Sequence, residues 1–420
     1  MFALFLPLLL RGANAQSVCN TQQPSLPGTY PPVLTTATIV NGDTTARQLF
    51  ESIKADPAYG NVLNGGIAPK GNPNGSGDFS GDCWWTQGNC KTPKRSWLPV
   101  DYFTCSEGRT WGLSIDDGPN CNNDLLYSFL SSQNPPIKGT VFYIGSNVMA
   151  YPLAAQRGAR DGHEICVHTW SHKTMTSLTD EQVFAELYYT KVAIHAATGI
   201  TTKCWRPPQG DVDDRVRTWA FALGMRTILW DHDTFDYELD AGTPQSTIDN
   251  NYQGIYNAAS DNNGVVVLQH ELTDQTMGEF IRQYPNAAQH YHHFMPVTSC
   301  YNDTTPYVQT NITFPTFQQY LAGQRATPVT PFITNQLPVF ATYDEDPTSG
   351  GTTSSSSTTT SQTTSSGSTS SNNSPTTSTT GGSTKPTNTA AGDHNNSAAT
   401  NVVIARWAIL ASLAGLGLML

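Results

Sequence analysis

The sequence predicts an α/β fold, a barrel of parallel strands joined by crossover helices, with an irregular segment packed in front of it. Three observations lead there. From residue 101 onward, short apolar runs alternate with helical stretches, the pattern of strands buried in a parallel sheet. The region able to fold, about residues 30–345, is long for one domain but ordinary for an α/β barrel. The strand candidates end in ionisable residues, and barrels of this type carry their chemistry at the C-terminal ends of strands.

The elements follow in chain order. Residues 1–15, "MFALFLPLLLRGANA", are a short apolar run ending in small residues, which reads as a secretory signal peptide cleaved after Ala15. Residues 16–100 are rich in Gly, Pro and Asn, with one helix expected near "TTARQLFESIKAD"; they form an irregular N-terminal segment. Residues 101–345 are the main folded domain. Its strand candidates are "RTWGLSI", "GTVFYIG", "HEICVHT", "KCWRPP", "RTILWD" and "GVVVLQH". "TDEQVFAELYYTKVAIHAATG" is a helix with Thr179 as cap and Gly199 as stop. "DVDDRVRTWAFALG" is a second, capped by Asp211 or Asp213 and ended by Gly224. Residues 346–397 are mostly Ser, Thr and Gly, too poor in apolar side chains to fold, and read as an O-glycosylated stalk. Residues 398–420 carry a closing apolar tail. With the small polar residues before it, the tail reads as a GPI-attachment signal removed from the mature protein, with Asn395, Asn396 and Ser397 as candidate attachment sites.

Composition narrows the partners. The eight cysteines are scattered, as expected of disulfides in a secreted chain; Cys83 and Cys90 in "CWWTQGNC" form the favoured local pair. Sequons stand at Asn74, Asn302, Asn311, Asn372 and Asn395. The net charge is −11 and no compact basic patch exists, which argues against nucleic acid. The expected locations are the plasma membrane, through the anchor, and the cell wall. The protein is expected to be a monomer.

The strand ends hold the chemistry. The first run ends in "SIDDGP" with Asp116 and Asp117. The third ends in "HTWSH", where His168 and His172 are spaced to share a face. The fourth ends in "RPPQGD" with Arg206, the fifth in "WDHDTFDY" with Asp231, Asp233 and Asp236, and the last in "LQHE" with His270. Two imidazoles and one carboxylate make a three-ligand metal site with room for water. A second carboxylate left free beside metal-bound water can take its proton, and His270 can serve as acid. "QHYHHF", with His290, His292 and His293, reads as surface or packing, and the tryptophans of "CWWTQGNC" as packing. No GxSxG elbow and no Walker A loop is present.

Five ordered segments, "SIDDGP", "HTWSH", "RPPQGD", "DTFDY" and "LQH", resemble the motifs of the NodB-type polysaccharide deacetylases, carbohydrate esterase family 4, and most closely the fungal chitin deacetylases. The resemblance spans roughly Tyr102 to His270. It implies a distorted (β/α) barrel with fewer than eight strands. It implies Asp116 as general base and Asp117, His168 and His172 as ligands of a divalent ion, zinc or cobalt. Arg206 would orient Asp116, and His270 would be the general acid, held by Asp233. Leu268 would receive the acetyl methyl, the Gln209 N–H would face the oxyanion, and Trp230 and Tyr237 would line the sugar site. The sequence departs from the family at Gln209, where an aromatic is usual, at Tyr237, where Trp is commoner, and at Glu271, where Asp is frequent. The expected activity is hydrolysis of the N-acetyl groups of chitin to give chitosan and acetate. The alternatives are a deacetylase of another acetylated polysaccharide such as xylan, or a catalytically dead, wall-anchored chitin-binding glycoprotein.

Overall fold

The computed structural model describes residues 18–63 and 81–340, all within one compact unit. Eight parallel strands carry the fold: β1 (Thr110–Gly118), β2 (Thr140–Tyr143), β3 (Glu164–Val167), β4 (Cys204–Trp205), β5 (Arg226–Thr227), β6 (His232–Asp233), β7 (Val265–His270) and β8 (His293–Met295). Their order across the sheet is β5-β4-β3-β2-β1-β7-β6, with β8 pairing the first residues of β1. Every residue of β1, β2, β3 and β7 is buried, as strands covered on both faces must be.

The sheet curls round on itself, and chain connectivity requires it. Laid flat, seven strands would put β5 and β6 about 29 Å apart. Yet β5 and β6 belong to one stretch of chain, Arg226–Asp233, and from Thr227 to His232 the backbone reaches at most about 18 Å. Within that stretch the Ile228 N–H donates to Trp205 O on β4, and the Asp231 N–H donates to Val266 O on β7. The sequence reads "RTILWD" as one strand. The structure breaks it where it changes partner, closing a distorted barrel.

The longer helices are α1 (Thr44–Ala55), α2 (Asp124–Ser132), α3 (Pro152–Arg160), α4 (Asp180–Thr198), α5 (Asp214–Ala222), α6 (Gln245–Asn257) and α7 (Asp274–His290). Helix α4 starts and stops where its sequence says. Thr179 and Gln182 form a capping box, and Gly199 turns left-handed at φ 76°. It is buried on every side from Val183 onward. The barrel covers one side, and the N-terminal segment covers the other: Phe50 of α1 stacks on Trp219 at 5.1 Å and meets Phe184 edge-on at 5.4 Å. Burying Phe50 this way stabilises the fold by about 1.5–3 kcal/mol. For α5 the cap is Asp213, which accepts from the Val216 N–H. Asp211 is used elsewhere, as described below.

All eight cysteines are paired: Cys19–Cys121, Cys83–Cys90, Cys105–Cys300 and Cys166–Cys204. Asn302 and Asn311 are exposed, as sequons should be. The signal peptide, the stalk, the tail, Asn74, Asn372, Asn395, Asn396 and Ser397 lie outside the described residues. Among the described residues no helix is long and apolar enough to cross a membrane.

Candidate active site

Because every strand runs the same way, the strand ends picked out in the sequence meet at one mouth of the barrel. Asp116 lies opposite His270 in the β1–β7 register. Neighbouring strand residues ordinarily point to opposite faces. Here Asp117 has φ 72°, a left-handed backbone that turns its carboxylate toward the side Asp116 already faces. That kink is what places two adjacent aspartates in one site. Thr169 (φ 63°), His172 (φ 56°), Gln209 (φ 57°) and Phe235 (φ 54°) share the left-handed conformation. Such backbone costs of order 1–3 kcal/mol per residue and gathers at functional sites.

Asp117, His168 and His172 come together. Asp117 Oδ1 lies 3.4 Å from His168 Nε2 and 3.2 Å from His172 Nε2. That carboxylate oxygen is buried and has no hydrogen-bond partner. His168 Nδ1 lies 2.9 Å from Arg206 O, a carbonyl that can only accept, so the proton sits on Nδ1 and the Nε2 lone pair faces Asp117. A lone pair set against an unpartnered carboxylate oxygen is the donor set a cation completes. His168 is buried, while the His172 side chain is 34% exposed, so the triad opens to solvent on the His172 side. Burial pushes the His172 imidazole below its ordinary pKa, against the pull of Asp117. Burial would raise the Asp117 carboxyl, but His172, His168 and His270 outweigh it and hold it well below the usual range. A second group, Glu164, Cys166 and Cys204, is close enough to suggest a metal site, but its two sulfurs are a disulfide.

Asp116 stands beside the triad without joining it. Its Oδ1 accepts from Arg206 Nη1 at 2.8 Å, and its Oδ2 is 3.6 Å from His168 Nε2. Arg206 is fully buried, with Nε donating to Ile228 O and Nη2 to Leu229 O. Its guanidinium lies 4.1 Å from the Phe142 ring centre and 5.3 Å from that of Trp230. A guanidinium held at each of its three nitrogens presents Asp116 in one orientation.

The partner of His270 differs from the expected one. His270 Nδ1 lies 2.6 Å from Asp236 Oδ1, and the His270 backbone N–H donates to Asp236 Oδ2. Asp233 instead accepts from the Phe235 N–H. The left-handed turn at Phe235 explains the exchange: it folds the chain back so that Asp236, at the head of a short 3-10 turn (Asp236–Leu239), reaches β7. Burial alone would depress His270; Asp236, aided by Asp117 and Asp116, reverses this and raises it to about 10. Asp233 is pushed up by burial to about 7. Leu268 is buried on β7, two residues before His270, and Tyr237 meets the His270 ring edge-on at 5.1 Å. Trp230 is buried, and the Gln209 side chain is exposed.

Three buried acids support the site in roles that the sequence did not assign to them. Glu186 of α4 accepts from the Trp170 and Ser171 N–H groups, the Ser171 hydroxyl and the Ala37 N–H, clamping the loop between the two histidines. Asp211 accepts from the Thr176 N–H and hydroxyl, Trp84 Nε1 and the Thr86 hydroxyl, tying the histidine loop to the N-terminal segment. Glu271 accepts from the Tyr127 hydroxyl at 3.1 Å, and that hydroxyl lies 3.0 Å from the Tyr143 hydroxyl, directly under the aspartate turn. A Cβ at Gly118 would sit 1.6 Å from Glu271 Oε1, so only glycine fits there. The only sequence signal for Glu186 is an acid between the apolar residues Ala185 and Leu187. His290 stacks on Tyr256 and His293 meets Phe317 edge-on, so the histidine-rich stretch packs.

Residues 104–228 match the polysaccharide deacetylase family. That match makes residues 104–228 a polysaccharide deacetylase domain. The chain is 44% identical over 311 residues to chitin deacetylase 2 of Cryptococcus neoformans var. grubii, covering 70% of this chain and 66% of that protein. It is 42% identical over 232 residues to the chitin deacetylase of Amylomyces rouxii, covering 54% of each. The chain thus spans just under two thirds of the first relative's length and about half of the second's. Among solved structures, the chitin deacetylase of Colletotrichum lindemuthianum aligns at 22% identity and a TM-score of 0.44, over 48% of this chain and 92% of that one.

Proposed function

We propose that this chain is a divalent-metal-dependent deacetylase that removes N-acetyl groups from chitin, giving chitosan and acetate. One observation carries the reading: in a family member similar to chitin deacetylases, a metal-ready triad, an arginine-held carboxylate and an aspartate-held histidine share one barrel mouth. Asp117, His168 and His172 would hold the ion, for which zinc and cobalt suit the two-imidazole, one-carboxylate set. Once bound, the ion supplies Lewis acidity and lowers the pKa of a coordinated water.

The remaining roles fall to the chain itself. Asp116 takes a proton from the attacking water, and Arg206 keeps its free oxygen turned into the site. His270, charged through Asp236, gives a proton to the departing sugar nitrogen. Water adds its oxygen to the acetyl carbon, the C–N bond breaks, and acetate and a free amine result. The Gln209 N–H is the backbone donor for the oxyanion. Leu268 receives the acetyl methyl, and Trp230 and Tyr237 shape the sugar site. Further elements of the proposal are secretion, supported by four disulfides, and anchoring of a monomer to the membrane or wall through the C-terminal signal.

The test is acetate release from N-acetylglucosamine oligomers by the purified ectodomain, after chelation and after zinc or cobalt re-addition, with Asp116→Asn as control. Metal-restored release that the variant lacks supports the reading. Release from acetylated xylan alone reassigns the substrate. Binding without release from either polymer makes the protein a wall-binding glycoprotein.

A further inference from the structure

The deacetylase reading leaves one heavily anchored part of the molecule without a role: the loop Cys83–Cys90. A disulfide closes it. Trp84 Nε1 and the Thr86 hydroxyl both donate to Asp211, and the Trp85 N–H donates to Val212 O. Arg217 donates to the carbonyls of Cys83 and Cys90 from below, and is itself paired with buried Asp101. A loop of eight residues fixed at this many points is held for position, because core burial needs only one of its tryptophans. Trp84 meets that need at 2% exposure.

Trp85 is different. It is only partly buried, and its ring lies against the short turn Pro208–Gly210 beside Arg206. A Cβ on Gly210 would fall 2.2 Å from Trp85 Cζ3, so the indole lies on the glycine itself. Its centroid is 4.8 Å from that of Trp230, the ring that packs on the Arg206 guanidinium. Trp85 therefore stands two side chains away from Asp116, next to the backbone of Gln209, whose own side chain is exposed and not aromatic. On the far side of the mouth, Tyr237 stands over His270.

We infer that Trp85, delivered by the disulfide-closed N-terminal loop, is a substrate-binding residue that stacks on the apolar face of the sugar neighbouring the one being deacetylated. This rests on the deacetylase reading for the identity of the sugar. The chemistry it matches is a pyranose ring of a chitin chain, which has an apolar C–H face and polar edges. A partly exposed aromatic on a rigid mount binds such a face at little entropic cost. Asp211 links the mount to the histidine loop as well, so the stacking ring and the metal triad are held in fixed register.

The experiment compares Trp85→Ala, Trp85→Leu and Trp85→Tyr with wild type, all zinc-loaded, on the N-acetylglucosamine dimer and pentamer. Binding of the pentamer is measured separately by calorimetry in the Asp116→Asn background. We expect Trp85→Ala and Trp85→Leu to lose about tenfold in kcat/KM on the pentamer, mostly through KM, with a parallel loss in pentamer affinity. The dimer should change about twofold or less, and Trp85→Tyr should stay close to wild type. Equal losses on dimer and pentamer, or none on either, would overturn the inference. Trp85→Leu keeps apolar volume in place, so a loss seen in Trp85→Ala alone counts as a packing effect and also overturns it. If wild type releases no acetate, the deacetylase reading fails, and the calorimetric comparison alone decides the role of Trp85.

Discussion

Replacing Asp236 by Asn tests the site at the point where the structure departs from the sequence-level expectation. Asp236 holds His270 by two hydrogen bonds, one to Nδ1 and one to the backbone. In the folded, metal-free protein His270 titrates near 10, against an ordinary 6.5. The gap is about 4–5 kcal/mol in favour of imidazolium. Because this pKa is raised, the stability it contributes is complete below pH 6.5 and is lost as pH climbs through about 10. Asparagine removes the charge, and burial then drives the imidazole back toward or below its ordinary range. A histidine titrating at 6.5 is still about one-quarter protonated at pH 7, so loss of charge alone costs only about fourfold in rate. Loss of orientation and tautomer costs more, and the two together predict a fall in kcat of about 10²–10⁴. The assay is acetate release by the zinc-loaded variant across pH, alongside NMR titration of His270 in the metal-free protein. Asp233→Asn should leave the Nδ1 contact intact and cost distinctly less. If Asp233→Asn loses more activity than Asp236→Asn while the His270 titration is unchanged, the assignment of partners is wrong.

Three further outcomes are expected. Zinc at about 100 times its dissociation constant should stabilise the protein by about 2.7 kcal/mol in thermal melts, and Asp117→Asn should abolish the shift; a full shift in that variant would place the ion elsewhere. Burial raises the Glu271 carboxyl to about 8, so it is neutral in the folded, metal-free protein and ionised when unfolded. Its contribution is therefore complete below about pH 4.5 and falls by up to about 1.4 kcal/mol per pH unit until pH 8. Urea unfolding of Glu271→Gln should show a shallower pH dependence over that window, and an unchanged slope would contradict the assignment. Glu186→Ala strips the acceptor from four donors at once and should cost about 3–5 kcal/mol in urea unfolding, whereas a loss under about 1 kcal/mol would mean that the histidine loop is held some other way.

Much of the site was legible because its residues sit where strand periodicity stops. Asp116, Asp117, His168, His172, Arg206 and His270 each follow an apolar run, and parallel topology sends all of those ends to one mouth. The capping signals at Thr179 and Gly199 were equally local and equally readable. What could not be read depends on backbone that no periodicity encodes. The choice of Asp236 over Asp233 turns on one left-handed residue, Phe235, of a type that gives no warning of positive φ. Strands β6 and β8, of two and three residues, are too short to show alternation. The roles of Glu186 and of Asp211, a helix-cap candidate in the sequence, could not be read because their side-chain partners are 15 to 149 residues away.

The closed seam at residues 226–233 also bears on how the folded protein comes into being. The central strand β1 finds its β7 partner 154 residues later, Asp116 beside His270, and the Cys105–Cys300 bond spans 195 residues. A ribosome adding about 5–20 residues per second leaves Asp116 waiting on the order of ten seconds or more for its neighbour. During that interval the donor set at the barrel mouth is half built: the triad of Asp117, His168 and His172 can assemble, while acid and base remain on separate parts of the chain. On the proposed deacetylase reading, a nascent chain would thus collect its ion before it could cut an amide. On that reading, the onset of hydrolysis would report that the whole ring has shut.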